Sequence, residues 1–330
     1  MREFRFELRV CAALEDREEG MVARQLGGGV HHPGNRILDV VVVEPGPSFE
    51  HRVALAATEI PPPAIDCRIG PGRARPWPPD ADWHPETATR IREEAEAAGF
   101  FESERRGGRR YVRQTTRYPR DWFGAITAIE NKPDLARPGT LSAQLRHDVS
   151  LRMVDQVVLA TRSHVTGAHL NRLPPAVGVW RIHGDRDPTI EVIREPTKLS
   201  ADEWGIEILE RDRTQAAVRT VSPAAKADAR LRIAERAYGK GWRPSSFPGC
   251  EHAEAWSVAG TSVPGCEWYD RIVDPGECGA ACPGYCAASP PPVDAAAERA
   301  RRTAWNPTAR GPATSQGRLT EFSESTGQSS

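Results

Sequence analysis

The chain has 330 residues, with 44 basic and 45 acidic side chains, a formal net charge of -1 and a hydrophobic content of 39%. This balance excludes an acidic disordered chain and a uniformly basic nucleic-acid binder, and the length suits either one enlarged α/β domain or a main domain with a small appendage. No apolar run approaches the roughly 20 residues of a membrane helix, and the opening MREFRFELRV lacks the apolar stretch of a signal peptide, so a cytoplasmic protein with no membrane partner is expected.

Phe4, Leu8 and Cys11 recur at helical spacing and predict an amphipathic helix over 2–16, with Glu7 on the flank of its buried stripe. A glycine turn at 27–29 leads into ILDVVVV, whose β-branched run over 37–43 predicts a strand covered on both faces. A second strand is expected over 52–58. Eight prolines between 61 and 85 then mark an ordered surface excursion or linker. Strong helix formers over 86–98 end at Gly99, the usual place for a left-handed cap. Residues 100–104 and 111–115 flank Arg105-Arg106-Gly107-Gly108, a β-hairpin signal.

The apolar core resumes with a strand over 122–132. Thr140 can cap a helix carrying Leu141, Leu145, Val149 and Met153, and QVVLAT over 156–161 is the next strand. Strand, helix and strand in so short a span predict a parallel crossover. Further strands are expected over 177–183 and 189–195, with a helix over 224–237. The expected organisation is an α/β domain over 1–245 with an inserted helix–hairpin segment over about 61–121, a Cys-rich module over 246–290 and a disordered tail over 291–330.

Two features carry chemistry. Asp39 lies inside an apolar strand, where an unpaired carboxylate costs several kcal/mol, so it requires a cation, a metal or several donors. A second strand ends in Glu130-Asn131-Lys132, and the two-residue period of a strand sets Glu130 and Lys132 on one face. Lys132 is one of only four lysines, with Lys198, Lys226 and Lys240. A low lysine content resembles haloarchaeal proteins, although the near-neutral charge departs from their usual acidity.

An acidic residue on one strand, Glu-x-Lys on the next, then a helix and a strand, resembles the PD-(D/E)XK nuclease superfamily. The resemblance covers residues 1 to about 165 and implies a restriction-endonuclease-like mixed sheet flanked by helices. It implies Asp39 as the metal-binding acid, Glu130 as the second acid and Lys132 as the catalytic lysine. It further implies Gln144 as a polar helix position and Glu7 as a first-helix acid. Leu38 stands where proline is common, and Asp148 stands in place of the tyrosine of RecB-like members. Two carboxylates and a main-chain carbonyl make a hard oxygen site suited to Mg²⁺ or Mn²⁺, and Lys132 could orient an attacking water. The expected activity is metal-dependent hydrolysis of DNA phosphodiester bonds. The alternatives are a catalytically silent nucleic-acid binder of the same fold and an iron–sulfur redox protein.

Between Arg105 and Arg120 there is no acidic residue. The arginines Arg105, Arg106, Arg109, Arg110, Arg113 and Arg117, with Tyr111, make a candidate nucleic-acid surface. Near the C-terminus, Cys250, Cys266, Cys278, Cys282 and Cys286, with His252, exceed the four ligands of a closed zinc site, so at least one group would be spare. Some RecB-like nucleases hold an iron–sulfur cluster through one N-terminal and three C-terminal cysteines, which Cys11 with Cys278, Cys282 and Cys286 would imitate. Zinc is expected ahead of the cluster.

Overall fold

The computed structural model describes residues 3–17, 20–80, 82–211, 215–244 and 246–302. Helix α1 (Glu3–Arg17) leads into strands β1 (Met21–Gly27) and β2 (Ile37–Pro45). Helices α2 (Phe49–Leu55) and α3 (Pro62–Asp66), strand β3 (Arg75–Pro76), helix α4 (Pro85–Ala97) and strands β4 (Phe101–Arg106) and β5 (Arg109–Gln114) form the insertion. The main sheet resumes with β6 (Phe123–Asn131), crosses through α5 (Leu141–Leu151) to β7 (Gln156–Thr161), and continues past the short α6 (Gly167–Leu170) to β8 (Gly178–His183) and β9 (Thr189–Arg194). A hairpin of β10 (Gly205–Arg211) and β11 (Ala216–Val221) precedes the long helix α7 (Pro223–Lys240). Strands β12 (Ala253–Val258), β13 (Thr261–Cys266) and β14 (Arg271–Ile272) build a small sheet, and α8 (Ala295–Arg302) follows.

The main sheet has six strands in the order β1-β2-β6-β7-β8-β9. The first three form an antiparallel meander, whereas β7 runs parallel to β6 and β8 parallel to β7. The protein is therefore a mixed α/β fold whose mixed sheet is flanked by helices. Strand alternation divides the core between two faces. Val40, Val42, Ile129, Val158 and Ala160 meet the α1 stripe of Phe6, Leu8, Val10, Cys11 and Leu14. Val41, Val43, Ile126, Ala128, Val157 and Leu159 face α5, α7 and the inserted segment.

The expected helix over 2–16, the crossover through α5 and the hairpin of β4 and β5 are all present. Gly107 and Gly108 have φ of 54° and 79°, as a two-residue turn of that twist requires. The strand expected over 52–58 is absent, and Phe49–Leu55 is helix α2 instead. Helical winding seats Arg52 against Glu235 of α7, with both side chains fully buried. Strand β1 takes the outer place in the meander. The polar pair Arg24-Gln25 breaks its apolar run, and this break hid it in the sequence. Helix α8 occupies 295–302, where composition predicts disorder. Glu298 bonds Ser262, and Arg299 donates to Tyr238 and Gly239 carbonyls. The rest of the predicted tail, 303–330, lies outside the described residues.

Around the buried pair, Arg52 Nε and Nη2 donate to the two Glu235 oxygens at 2.7 and 2.6 Å. Glu235 also accepts from Tyr118 Oη at 2.5 Å and the Ile60 amide at 2.9 Å. Truncating one partner of such a pair strands the other charge in the core, which costs about 3–5 kcal/mol. Arg52→Ala should therefore lower unfolding free energy by about that amount in a denaturant titration, while Arg113→Ala, removing an exposed pair with Glu102, should change it by less than about 1 kcal/mol.

Candidate functional site

Strands β2 and β6 pair with Val40 opposite Ile129, and this register sets Asp39 beside Glu130 at the end of β6. Asp39 Oδ2 accepts from the Asn131 amide at 2.8 Å, so one donor its burial requires comes from the neighbouring backbone. The main cation comes from Arg36, immediately before β2. Its Nη2 lies 2.6 Å from Glu130 Oε2 and 2.6 Å from Asp148 Oδ2, and its Nε donates to Asp148 Oδ1 at 2.9 Å. Asp148 belongs to α5 and is also contacted by His147 Nδ1 at 3.2 Å. All of Arg36, Glu130 and Asp148 are buried.

Two carboxylates thus share one guanidinium, and Asp39 lies within reach of its charge. Burial, then the charge of Asp39, pushes the Glu130 carboxyl up to about 7, against the pull of Arg36. Burial also raises Asp39, although the Asn131 amide and Arg36 oppose it. Asp148 behaves oppositely: burial would raise it, but the bonds from His147 and Arg36 outweigh burial and hold it below the usual range. The local charge is under-neutralised, and the deficit falls on Glu130 and Asp39.

The other sequence-predicted residues lie as follows. Lys132 stands one residue past β6, and its Nζ pairs with Glu3 Oε1 of α1 at 3.1 Å, an exposed contact. The expectation that Lys132 sits with Glu130 is not realised in this arrangement, because the chain leaves the strand pleat at Asn131. Glu7 is buried, but its oxygens are taken by Arg24 at 2.7 Å and Gln25 at 2.6 Å, so it supplies nothing to the Asp39–Glu130 pair. Gln144 lies one turn before Asp148 on α5 and accepts from Thr140 Oγ1 at 3.1 Å. Sequence reasoning missed Arg36 and assigned Asp148 no role. A signal for Asp148 existed in its i+3 spacing from the core residue Leu145, whereas Arg36 precedes its strand with no pattern around it.

The arginine hairpin is less positive than its sequence. Pairing β4 with β5 sets Glu102 against Arg113 at 2.6 Å, and within β4 itself Glu104 pairs with Arg106 at 2.5 Å. Arg110 donates to Ser103 Oγ at 3.0 Å, and the Arg106 guanidinium lies 5.3 Å from the Tyr111 ring centroid. The insertion also leaves from Pro45 and returns at Phe123, the strand ends opposite Asp39 and Glu130. Six residues of strand separate those ends by about 20 Å.

Among the described residues no group of three or more His, Cys, Asp or Glu is arranged to hold a metal ion. The donor chemistry nevertheless fits a hard divalent cation: two carboxyl groups lie side by side on paired strands, and both amide atoms of the adjacent Asn131 side chain are buried without a hydrogen-bond partner. Arg36 occupies Glu130 through a single bond but grips Asp148 through two, so it can release the first acid and keep the second.

A family model described as Family of unknown function (DUF5787) matches residues 21–287. The chain belongs to this family. No curated protein and no solved structure matches it. The matched span contains Asp39, Glu130, Asp148 and the five C-terminal cysteines, but not α1 with Glu7 and Cys11. Among the described residues no helix is long and apolar enough to cross a membrane.

The raised Glu130 carboxyl has a signed consequence. The fold binds this proton more tightly than the unfolded chain, so the associated stability is present below about pH 4.5 and is lost as pH rises through about 7. Glu130→Gln cannot ionise. Between about pH 5 and pH 8 its unfolding free energy should fall less than that of wild type, by on the order of 2–3 kcal/mol, in denaturant titrations at each pH. Parallel pH profiles for the two proteins would contradict the assigned protonation.

Proposed function

We propose that the protein is a divergent member of the PD-(D/E)XK superfamily, with a restriction-endonuclease-like core, and that it hydrolyses phosphodiester bonds of DNA with Mg²⁺ or Mn²⁺. The observation that carries this reading is the juxtaposition of Asp39 and Glu130 on adjacent antiparallel strands, at the end from which α5 crosses over to the parallel strand β7. The element order of helix, three-stranded meander, helix and parallel strand is the one this chemistry uses elsewhere. With 52–58 helical and β1 opening the meander, the strand that carries Asp39 stands second of the three rather than first.

Asp39, Glu130 and the Asn131 carbonyl are the groups that would hold the ion. When bound, the metal would neutralise phosphoryl charge and supply hydroxide near neutral pH. The protein's own contribution is positional. Asp39 is fixed by the Asn131 amide, Glu130 is held by Arg36, and Asp148 anchors Arg36 from α5. Lys132 is bound only to Glu3, whose side chain is 66% exposed, and a surface pair of this kind is worth about 1 kcal/mol or less. Lys132 is therefore available to turn toward a phosphate or an attacking water. Arg36, on leaving Glu130, would present a guanidinium to the same region.

The silent nucleic-acid binder is the second reading, favoured by the bond from Arg36 to Glu130, which competes with an ion. A paired measurement separates the two. Wild-type protein should cleave single- or double-stranded DNA with Mg²⁺ or Mn²⁺ and not with chelator, and either ion should raise its thermal midpoint. Glu130→Gln and Lys132→Ala should each lose cleavage by at least about 100-fold while retaining DNA affinity, and only Glu130→Gln should lose the ion-dependent stabilisation. DNA binding with neither cleavage nor ion-dependent stabilisation would establish the silent protein and end the nuclease reading.

A further inference from the structure

The small sheet of β12, β13 and β14 has two unlike ends. Val258, Val263 and Ile272 face the main domain and join the core beneath α1. The other end has no aliphatic cluster of its own. Residues 274–288 cross it with little regular structure beyond the single turn at Pro275–Glu277, and they are tied down by local bonds such as Cys282 N to Gly279 O at 2.9 Å. A loop-rich segment of this kind buries too little apolar area to offset its own ordering entropy.

Thiols fill that place. Cys250 precedes β12 and bridges to Ala287, and Cys266 closes β13 opposite Ala253 of β12 and Arg271 of β14. Cys278 follows the turn at Pro275–Glu277, and Cys282 ends the next turn. These four, from four separate pieces of chain, line one cavity of about 200 Å³, and all are free thiols.

The remaining candidates fall outside. Cys286 is exposed and does not line the cavity, but its backbone N–H donates to Cys250 Sγ at 3.5 Å, the kind of bond that steadies a metal-bound thiolate. His252 packs its ring against Trp268 at 5.4 Å. Cys11 is fully buried on the apolar stripe of α1, among Phe6, Leu8 and Leu14.

We propose that Cys250, Cys266, Cys278 and Cys282 are the four ligands of a structural zinc ion that holds residues 246–290 together. Four thiolates around one point are a closed tetrahedral site, which zinc prefers and which leaves no position for catalysis. Binding releases four thiol protons and draws the side chains inward from their present spacing, at which no three hold an ion. The net negative charge of four thiolates around zinc would be offset in part by Arg271, which also lines the cavity. The site is independent of the Asp39–Glu130 pair, so neither reading stands or falls with the other.

The test uses the full chain purified anaerobically without chelator. Metal and sulfide analysis should give about one zinc per chain and no inorganic sulfide. Cys278→Ser and Cys282→Ser should lose the zinc, whereas Cys286→Ser and Cys11→Ser should keep it. Should the ligand variants fail to fold, cobalt exchanged into the wild-type protein and into Cys286→Ser should give the same intense thiolate-to-cobalt absorption of a tetrahedral site. Wild-type protein without zinc, iron accompanied by sulfide, disulfides among the four cysteines, or loss of zinc in Cys286→Ser would each overturn the assignment.

Discussion

The arrangement of this protein turns on one buried guanidinium. Arg36 is withdrawn from water between Glu130 at the end of β6 and Asp148 on α5. Removing a cation from water costs several kcal/mol and is offset only by good geometry with anions. The two bonds to Asp148 and the one to Glu130 supply it, and so fix three parts of the fold against one another: the entry to β2, the exit of β6 and the crossover helix. The loop before Arg36 is held in turn by Glu207 of β10, which accepts from the Val30 and His31 amides.

A second buried arginine shows what is unusual about the first. Arg52 and Glu235 are matched one to one, and their remaining hydrogen-bonding capacity goes to Tyr118, the Ile60 amide and nearby carbonyls. That centre is electrically closed and ties the insertion to α7. Around Arg36 the carboxylates of Glu130 and Asp148 meet one cation with Asp39 nearby, and burial, added to by the charge of Asp39, holds the Glu130 proton to about pH 7. Strongly shifted carboxyls of this kind gather at functional sites, and structural ion-pair networks shift them too.

Opposite imbalances are smaller than the sequence suggests. Arg106 and Arg113 look unopposed within 105–120 because the acids that pair with them, Glu104 and Glu102, lie earlier on β4, the first on the same strand and the second across the ladder. Pairing the strands converts a run of like charge into exposed ion pairs, which hold little energy and exchange readily with solvent or a polyanion. The hairpin is thus a mixed surface at the far end of the strands that carry the acids.

The sequence by itself determined the elements whose pattern is local. The α1 stripe, the Val40–Val43 run, the Gly99 cap, the Gly107-Gly108 turn and the crossover from β6 to β7 all follow from side-chain period and turn chemistry within a few residues. It also determined that Asp39 needs a partner, since a carboxylate in an apolar strand must find one. Only the tertiary structure decided which. Arg36, Glu130 and Asp148 are separated by up to 112 residues, and nothing within any one segment signals their meeting. The same reason explains the errors at 52–58 and in β1: Arg52 is helical because Glu235 lies 183 residues away, and β1 is a strand because β2 gives its interrupted pattern a ladder. Local propensity fixes what a segment can be, and the burial of charge across long separations fixes what it is.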